Sequence, residues 1–80
     1  MIVFNKHSYL GTDEKVEDID KKIGQIKYSS DNEENMKADS FSNYYPVGTK
    51  LYKIKGINEG AAIAVELEKD IYIKAYNKKK

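Results

Sequence analysis

The stretch Tyr45–Tyr76, YPVGTKLYKIKGINEGAAIAVELEKDIYIKAY, decides the fold class, because three strand-like runs fall within it. Side chains alternate faces along a strand, so an apolar period of two marks one buried side. Ile63, Val65 and Leu67 share one side of such a run, with Ala62, Ala64 and Glu66 on the other. The next run repeats the pattern, with Ile71, Ile73 and Ala75 set against Tyr72, Lys74 and Tyr76. Together they read as a hairpin. Residues directly opposite in an antiparallel pair point to the same face, so apolar must meet apolar. A two-residue Lys69-Asp70 turn would set Glu68 against Ile71 and Glu66 against Ile73. A three-residue Glu68-Lys69-Asp70 loop instead sets Leu67 against Ile71, Val65 against Ile73 and Ile63 against Ala75, and this is the expected register. Asp70 then takes the left-handed conformation that ends such loops, which Asp tolerates better than most residues other than glycine.

Upstream in the same stretch, Pro46 holds Tyr45 extended. Val47-Gly48-Thr49 leads into a strand over Lys50 to Lys55, and Gly56 to Gly60 form the turn before the hairpin. At the N-terminus, Ile2 to Phe4 and Ser8 to Leu10 flank Asn5-Lys6-His7. Asn5 readily accepts a positive φ, so a short hairpin is predicted. From Asp13 the spacing becomes helical, with Val16, Ile19 and Ile23 at i, i+3 and i+7. Acidic residues lead and Lys21 and Lys22 follow, as a helix dipole favours, and Gly24 is a natural stop. One short helix over about residues 13 to 22 is predicted, dependent on packing against the sheet. Ile26 and Tyr28 mark a further strand. Residues 29 to 43, rich in Ser, Asn, Asp and Glu with only Met36 and Phe41 as large apolar side chains, read as a mobile loop. The expected architecture is a single domain, 1–80, that is mainly β: a small antiparallel barrel or two-layer sheet of five or six strands with one short helix.

Composition bounds what such a domain can do. Its 80 residues put the core near the smallest size that folds alone, and with no cysteine neither a disulfide nor a thiolate zinc site can supplement it. No apolar run approaches the roughly 18 residues of a spanning helix, so a soluble domain is expected. The net charge of +1 conceals a gradient. Residues 1 to 40 carry six lysines and nine acids, residues 41 to 80 eight and four. All 14 basic residues are lysine, and without the rigid fork of arginine, sequence-specific nucleic-acid recognition is not expected.

Catalytic machinery is likewise not expected. The carboxylates of Asp31, Glu33, Glu34 and Asp39 lack the ligand spacing and turn glycine of a calcium loop. His7 is the only imidazole and has no partner acid or base in its stretch. Ser8, Ser40 and Thr49 sit in no nucleophile context. The chain is therefore read as a non-enzyme with no cofactor and no metal. Its one suggestive feature is the outer face of the last hairpin, where Tyr72, Lys74 and Tyr76 form a stripe with Lys50 and Tyr52 beside it. Rings interleaved with lysines can stack bases or sugars and hold phosphates, although tyrosine also favours strands on its own account. Three terminal lysines, Lys78 to Lys80, read as a solvated tail.

Two blocks of the chain resemble a module at the C-terminal end of uncharacterised lipoproteins and exported proteins of Gram-positive bacteria. One is Ile2 to Gly24, with Asn5, Tyr9, Ile23 and Gly24. The other is Tyr45 to Tyr76, above all Pro46-Val47-Gly48-Thr49-Lys50-Leu51-Tyr52 and Ala62-Ile63-Ala64-Val65. The resemblance implies an extracytoplasmic domain whose membrane tether, a signal sequence and lipid-bearing cysteine, lies upstream of Met1. It brings no activity or substrate. Three readings follow. The first is a non-enzymatic envelope module that acts by binding or as a spacer, with an envelope protein or cell-wall glycan as partner. The second is a small barrel that binds nucleic acid or polysaccharide through the tyrosine and lysine face. The third is a small inhibitor or immunity-type protein.

Overall fold

The computed structural model describes residues 1–29 and 40–78. Among them the chain is mainly β, and no helix is present. Eight strands run in chain order: β1 (Ile2–Phe4), β2 (His7–Val16), β3 (Ile19–Gln25), β4 (Tyr28–Ser29), β5 (Phe41–Ser42), β6 (Lys50–Ile54), β7 (Ala62–Glu68) and β8 (Ile71–Asn77). They form one sheet in the order β3-β6-β7-β8-β2-β1-β5-β4, antiparallel throughout except between β4 and β5. Laid flat, eight strands about 4.8 Å apart would separate β3 from β4 by about 34 Å. Only Ile26 and Lys27 join those two strands, so Gln25 and Tyr28 lie no more than about 11 Å apart. The sheet must curl, and it does so into a half-barrel.

Both hairpins form where the sequence places them. Asn5 and Lys6 take φ of 50° and 66°, the pair of left-handed residues that a two-residue hairpin turn requires, and Phe4 pairs His7, Val3 pairs Ser8 and Ile2 pairs Tyr9. In the second hairpin Val65 pairs Ile73, Ile63 pairs Ala75, and Asp70 has φ 65°, all as expected. The tip differs. After Glu66 pairs Tyr72, the ladder resumes at Glu68 with Ile71 and leaves Leu67 as a bulged extra residue. Leu67 and Ile71 are therefore exposed rather than paired over the core. Beyond Val65 there is no further core to reward strict alternation, and a bulge supplies the twist that the tight turn needs.

The helix expected over residues 13 to 22 is replaced by the end of β2 and most of β3. A helix of that length gains too little from its own hydrogen bonds to stand alone. Its β-branched Val16, Ile19 and Ile23 are better used in strands. The misleading spacing comes from a corner: Val16 ends β2 and Ile19 begins β3, so the step of three spans Glu17-Asp18, and a register slip of β3 against β6 between Ile19 and Lys22 puts Ile19 and Ile23 on opposite sides of the sheet. Gly24 stops nothing; a side chain there would meet the Phe4 ring, whose Cε1 lies 2.5 Å from where a Cβ would sit. The strand expected around Ile26 and Tyr28 appears as the junction between β3 and β4, with Ile26 fully buried. Of the loop read over residues 29 to 43, residues 30 to 39 lie outside the described residues, while Phe41 and Ser42 form buried β5.

The main core gathers Ile2, Tyr9, Ile26, Tyr45, Leu51, Ile63, Val65, Ile73 and Ala75, with Phe4 and Ile23 packed against it. A second, smaller core lies on the opposite side of the sheet, where Ile54, Ala62 and Ala64 are covered by Val16, Ile19, Tyr52, Ile57 and Tyr72. β7 is buried on both faces for this reason, its large aliphatics turned to one core and its alanines to the other. Tyr9 and Asn77 fasten the loop before β7 from beneath: the Tyr9 hydroxyl donates to the Glu59 carbonyl at 2.6 Å, and the Asn77 amide donates to the Gly60 carbonyl at 2.7 Å.

Ile73 and Leu67 make a direct comparison, since the apolar alternation treats them alike and the structure does not. Ile73→Ala is expected to cost about 2 to 5 kcal/mol. Leu67→Ala, at a side chain 47% exposed, is expected to change stability by about 0.5 kcal/mol or less. Chemical denaturation of both variants checks this. Equal losses would show that Leu67 is packed after all.

Candidate binding groove

A groove of about 760 Å³ opens at the mouth of the half-barrel. The β2 segment Leu10–Asp13 with Lys15 forms one wall, the chain after β5, Asn43–Tyr45, forms another, and the tip of the β7–β8 hairpin supplies Leu67, Ile71 and Ile73. Its floor is the core itself, because Ile73 and Tyr45 belong to the main cluster. Three large apolar side chains stand exposed on its walls: Tyr44, the most open at 78%, with Leu67 and Ile71. A concave, mostly apolar cleft with a few polar groups on its rim is the usual form of a binding site, and the mouth of a curled sheet is a usual place for one.

Local sequence explains each wall. β2 carries an irregularity against β8: Gly11 pairs Ala75, yet the next pair is Lys15 with Ile73. The Thr12 hydroxyl replaces a missing ladder bond by donating to the Lys74 carbonyl at 2.8 Å, and it also accepts from the Glu14 amide at 3.1 Å. Residues 12 to 14 thus stand out of the ladder before it resumes at Lys15 with Ile73 and Val16 with Tyr72. Gly11 is required at the bend because the Tyr45 hydroxyl oxygen lies 2.5 Å from where a Cβ would sit. Ser42 orders the opposite wall. Its hydroxyl accepts from the Tyr44 and Tyr45 amides at 3.0 and 2.9 Å and donates to the Met1 carbonyl. The Tyr44 ring meets that of Tyr45 edge to face at 4.9 Å, which holds the exposed ring upright beside the groove.

The tyrosine and lysine face named from the sequence lies elsewhere, on the outer side of the sheet. Tyr52 and Tyr72 come together, ring to ring at 5.3 Å and 83°, but half-buried over the alanines of the second core. Lys74 points toward the Glu14 carboxylate at 3.7 Å. Tyr76 and Lys50 are exposed at positions on β8 and β6. His7 lies with its Nδ1 3.2 Å from the Asn77 amide and its ring edge-on to Tyr9. Among the described residues no group of three or more His, Asp or Glu side chains is placed to hold a metal ion. Asp31, Glu33, Glu34, Met36 and Asp39 lie outside the described residues, as do Lys79 and Lys80. Of the groove, the sequence singled out no residue as functional. Leu67 and Ile71 read from the sequence only as a pair on the apolar side of the hairpin.

No family model, curated protein or solved structure matches the chain. No helix among the described residues is long and apolar enough to cross a membrane.

Burial raises the pKa of Tyr45, helped by the neighbouring Tyr44, and raises that of Tyr9, helped by Glu59. Tyr72 is raised too, first by desolvation and then by the negative charge of Glu66. A tyrosine in the unfolded chain loses its proton near pH 10, before these three do in the folded state. Their contribution is therefore complete below about pH 10 and is lost as pH rises through their folded pKa values. Absorbance titration of the phenolates is expected to show part of the tyrosine signal appearing late and together with unfolding. All seven tyrosines titrating in one step near pH 10 in the folded protein would contradict the burial of Tyr9 and Tyr45.

Proposed function

We propose that this domain is a non-enzymatic binding module of an extracytoplasmic, membrane-tethered protein, and that it binds through the groove at the mouth of the half-barrel. The observation that carries the binding role is the meeting of Tyr44, Leu67 and Ile71, exposed and apolar, around a cleft floored by the core residues Ile73 and Tyr45. Keeping such side chains in water offers the isolated domain nothing, whereas covering each contributes about 1.5 to 3 kcal/mol to a complex when burial is complete. Contiguous exposed apolar surface of this kind marks interaction sites. The envelope setting is supported by the resemblance of the Ile2–Gly24 and Tyr45–Tyr76 blocks.

The outer tyrosine and lysine face is the second candidate, favoured by the exposure of Tyr76 and Lys50. It is the poorer of the two for stacking, because Tyr52 and Tyr72 spend their ring surfaces on each other and on the alanines beneath.

Titration with the neutral fluorophore N-phenyl-1-naphthylamine, followed by amide shifts, is expected to perturb residues 10–13, 43–45 and 67–73 in a saturable way. Replacing both Leu67 and Ile71 with Ser is expected to weaken that binding about tenfold or more, since about 1.4 kcal/mol corresponds to a factor of ten. Single-stranded DNA and cell-wall glycan are the competing probes. A saturable perturbation centred on Lys50, Tyr52, Tyr72, Lys74 and Tyr76 that persists at about 0.15 M salt, where surface charge is screened beyond about 8 Å, would transfer the role to the outer face.

A further inference from the structure

We infer that residues 58–61 form an acid-released lid over the end of the half-barrel opposite the groove, held shut while His7 is neutral. This device is independent of how the groove is used. β7 and β8 run from the hairpin tip beside the groove to this loop, which leads into Ala62 at the start of β7 and lies against Asn77 at the end of β8. The loop is tied within itself: the Gly60 amide donates to Asn58 Oδ1 at 2.7 Å, and the Ala61 amide donates to the Asn58 carbonyl at 2.8 Å. It can therefore move as one piece. The barrel reaches it through two residues. The Tyr9 hydroxyl donates to the Glu59 carbonyl at 2.6 Å, while Asn77 donates from its side chain to the Gly60 carbonyl and from its backbone to the Ala61 carbonyl, both at 2.7 Å.

Asn77 is buried, so what its amide meets decides whether it can stay. A carbonyl only accepts, and the bond to Gly60 therefore fixes the amide nitrogen on that side. The same nitrogen lies 3.2 Å from His7 Nδ1. With one N–H spent on Gly60, the other is left for the ring, and Nδ1 must accept it. His7 is thus held with its proton on Nε2. A second proton goes to Nδ1, where it would face the N–H of Asn77 with no lone pair between them. Whether the ring or the amide then turns away, the contact ends and a buried donor loses its acceptor. Closing the loop excludes this proton, so by linkage acid favours opening. Imidazole is the side chain that ordinarily changes charge between about pH 5 and 8, and this chain has a single histidine.

The groups around His7 offer the Asn77 amide no substitute. Lys6 precedes it on the turn, and Lys78 follows Asn77 with its amide on the Ser8 carbonyl. Phe4 is its partner across the first hairpin, and Tyr9 meets its ring edge to face at 6.1 Å. The acid on the loop is Glu59, close enough to help raise the Tyr9 pKa. Glu59 shares a pocket of about 460 Å³ with Lys21 and Lys22 of β3, so cations other than His7 are at hand for its charge. Phe4 and Ile23 line that pocket too, and both pack against the main core. Lifting residues 58–61 would uncover them together with the Tyr9 hydroxyl, which opens a second way to the core at the end away from the groove.

Nitrogen NMR of the His7 ring above about pH 8 is expected to show Nε2 protonated and Nδ1 bare; the reverse tautomer would overturn the latch. Hydrogen exchange then reads the lid. Protection of the Asn77 and Ala61 amides, relative to an unstructured chain, is expected to fall about tenfold or more between about pH 7.5 and 5.5 while the Val65 amide keeps its own. His7→Gln, whose side-chain oxygen accepts from Asn77 without titrating, is expected to keep the loop closed across that range. Glu59→Gln is expected to leave the pH dependence in place. Constant protection in the wild-type protein would overturn the lid, and so would a loss shared equally by Val65, which is unfolding of the whole domain. A pH dependence that disappears in Glu59→Gln and survives in His7→Gln would assign the switch to the Glu59 carboxylate and overturn the role of His7.

Discussion

Two residues, Ile26 and Lys27, constrain the whole molecule. They carry the chain from one end of an eight-stranded sheet to the other, so the sheet has no choice but to curl. Ile26 is fastened on the β6 side, where its amide donates to the Thr49 carbonyl and its carbonyl accepts from the Gly48 amide, both at 2.8 Å. The amides of Lys27 and Tyr28 then donate to the Ser40 carbonyl beside β5. The Ile26 side chain points into the main core with no exposure at all. The groove lies elsewhere in the same sheet, where β1 pairs with β2 on one side and β5 on the other and so sets the segment after β5 across from β2.

A domain this small must use every surface it can bury. β7 shows how. It packs Ile63 and Val65 on one face and Ala62 and Ala64 on the other, and the corner from β2 to β3 folds over the alanines with Val16 and Ile19. Small residues on that face let Tyr52 and Tyr72 lie flat enough to meet edge to face. The same packing that makes these tyrosines useful to stability makes them poor platforms for a ligand. Leu67, Ile71 and Tyr44 have the opposite character, since they are large, apolar and turned away from either core. Structure and recognition are thus assigned to different apolar residues of one short chain.

What could be read from the residues was local. The hairpin register from Ile63 to Ile73, the left-handed Asp70, and the turn at Asn5 all follow from side-chain alternation and from the few residues that accept a positive φ. The segment from Asp13 to Gly24 reads as a helix because the corner between β2 and β3 sets Val16 and Ile19 three apart, and both the corner and the register slips of β3 are fixed by tertiary partners such as Tyr52 and Leu51 rather than by their own residues. Leu67 was placed inward because alternation has no knowledge of where a core ends. The groove was illegible for a related reason. Its walls come from residues 10–15, 43–45 and 67–73, which are brought together by the β2–β8 pairing and by β1 lying between β2 and β5, pairings between segments far apart in the chain.

Hydrogen exchange at the Ile26 amide tests the central constraint, the junction at Ile26 and Lys27, most directly. If the junction holds the sheet curled, this amide opens only when the whole domain unfolds, and its protection equals that of the central β7 amides of Ile63 and Val65. Exchange much faster than theirs, with β7 still protected, would mean that the ends of the sheet part freely and that the junction does not hold the curl.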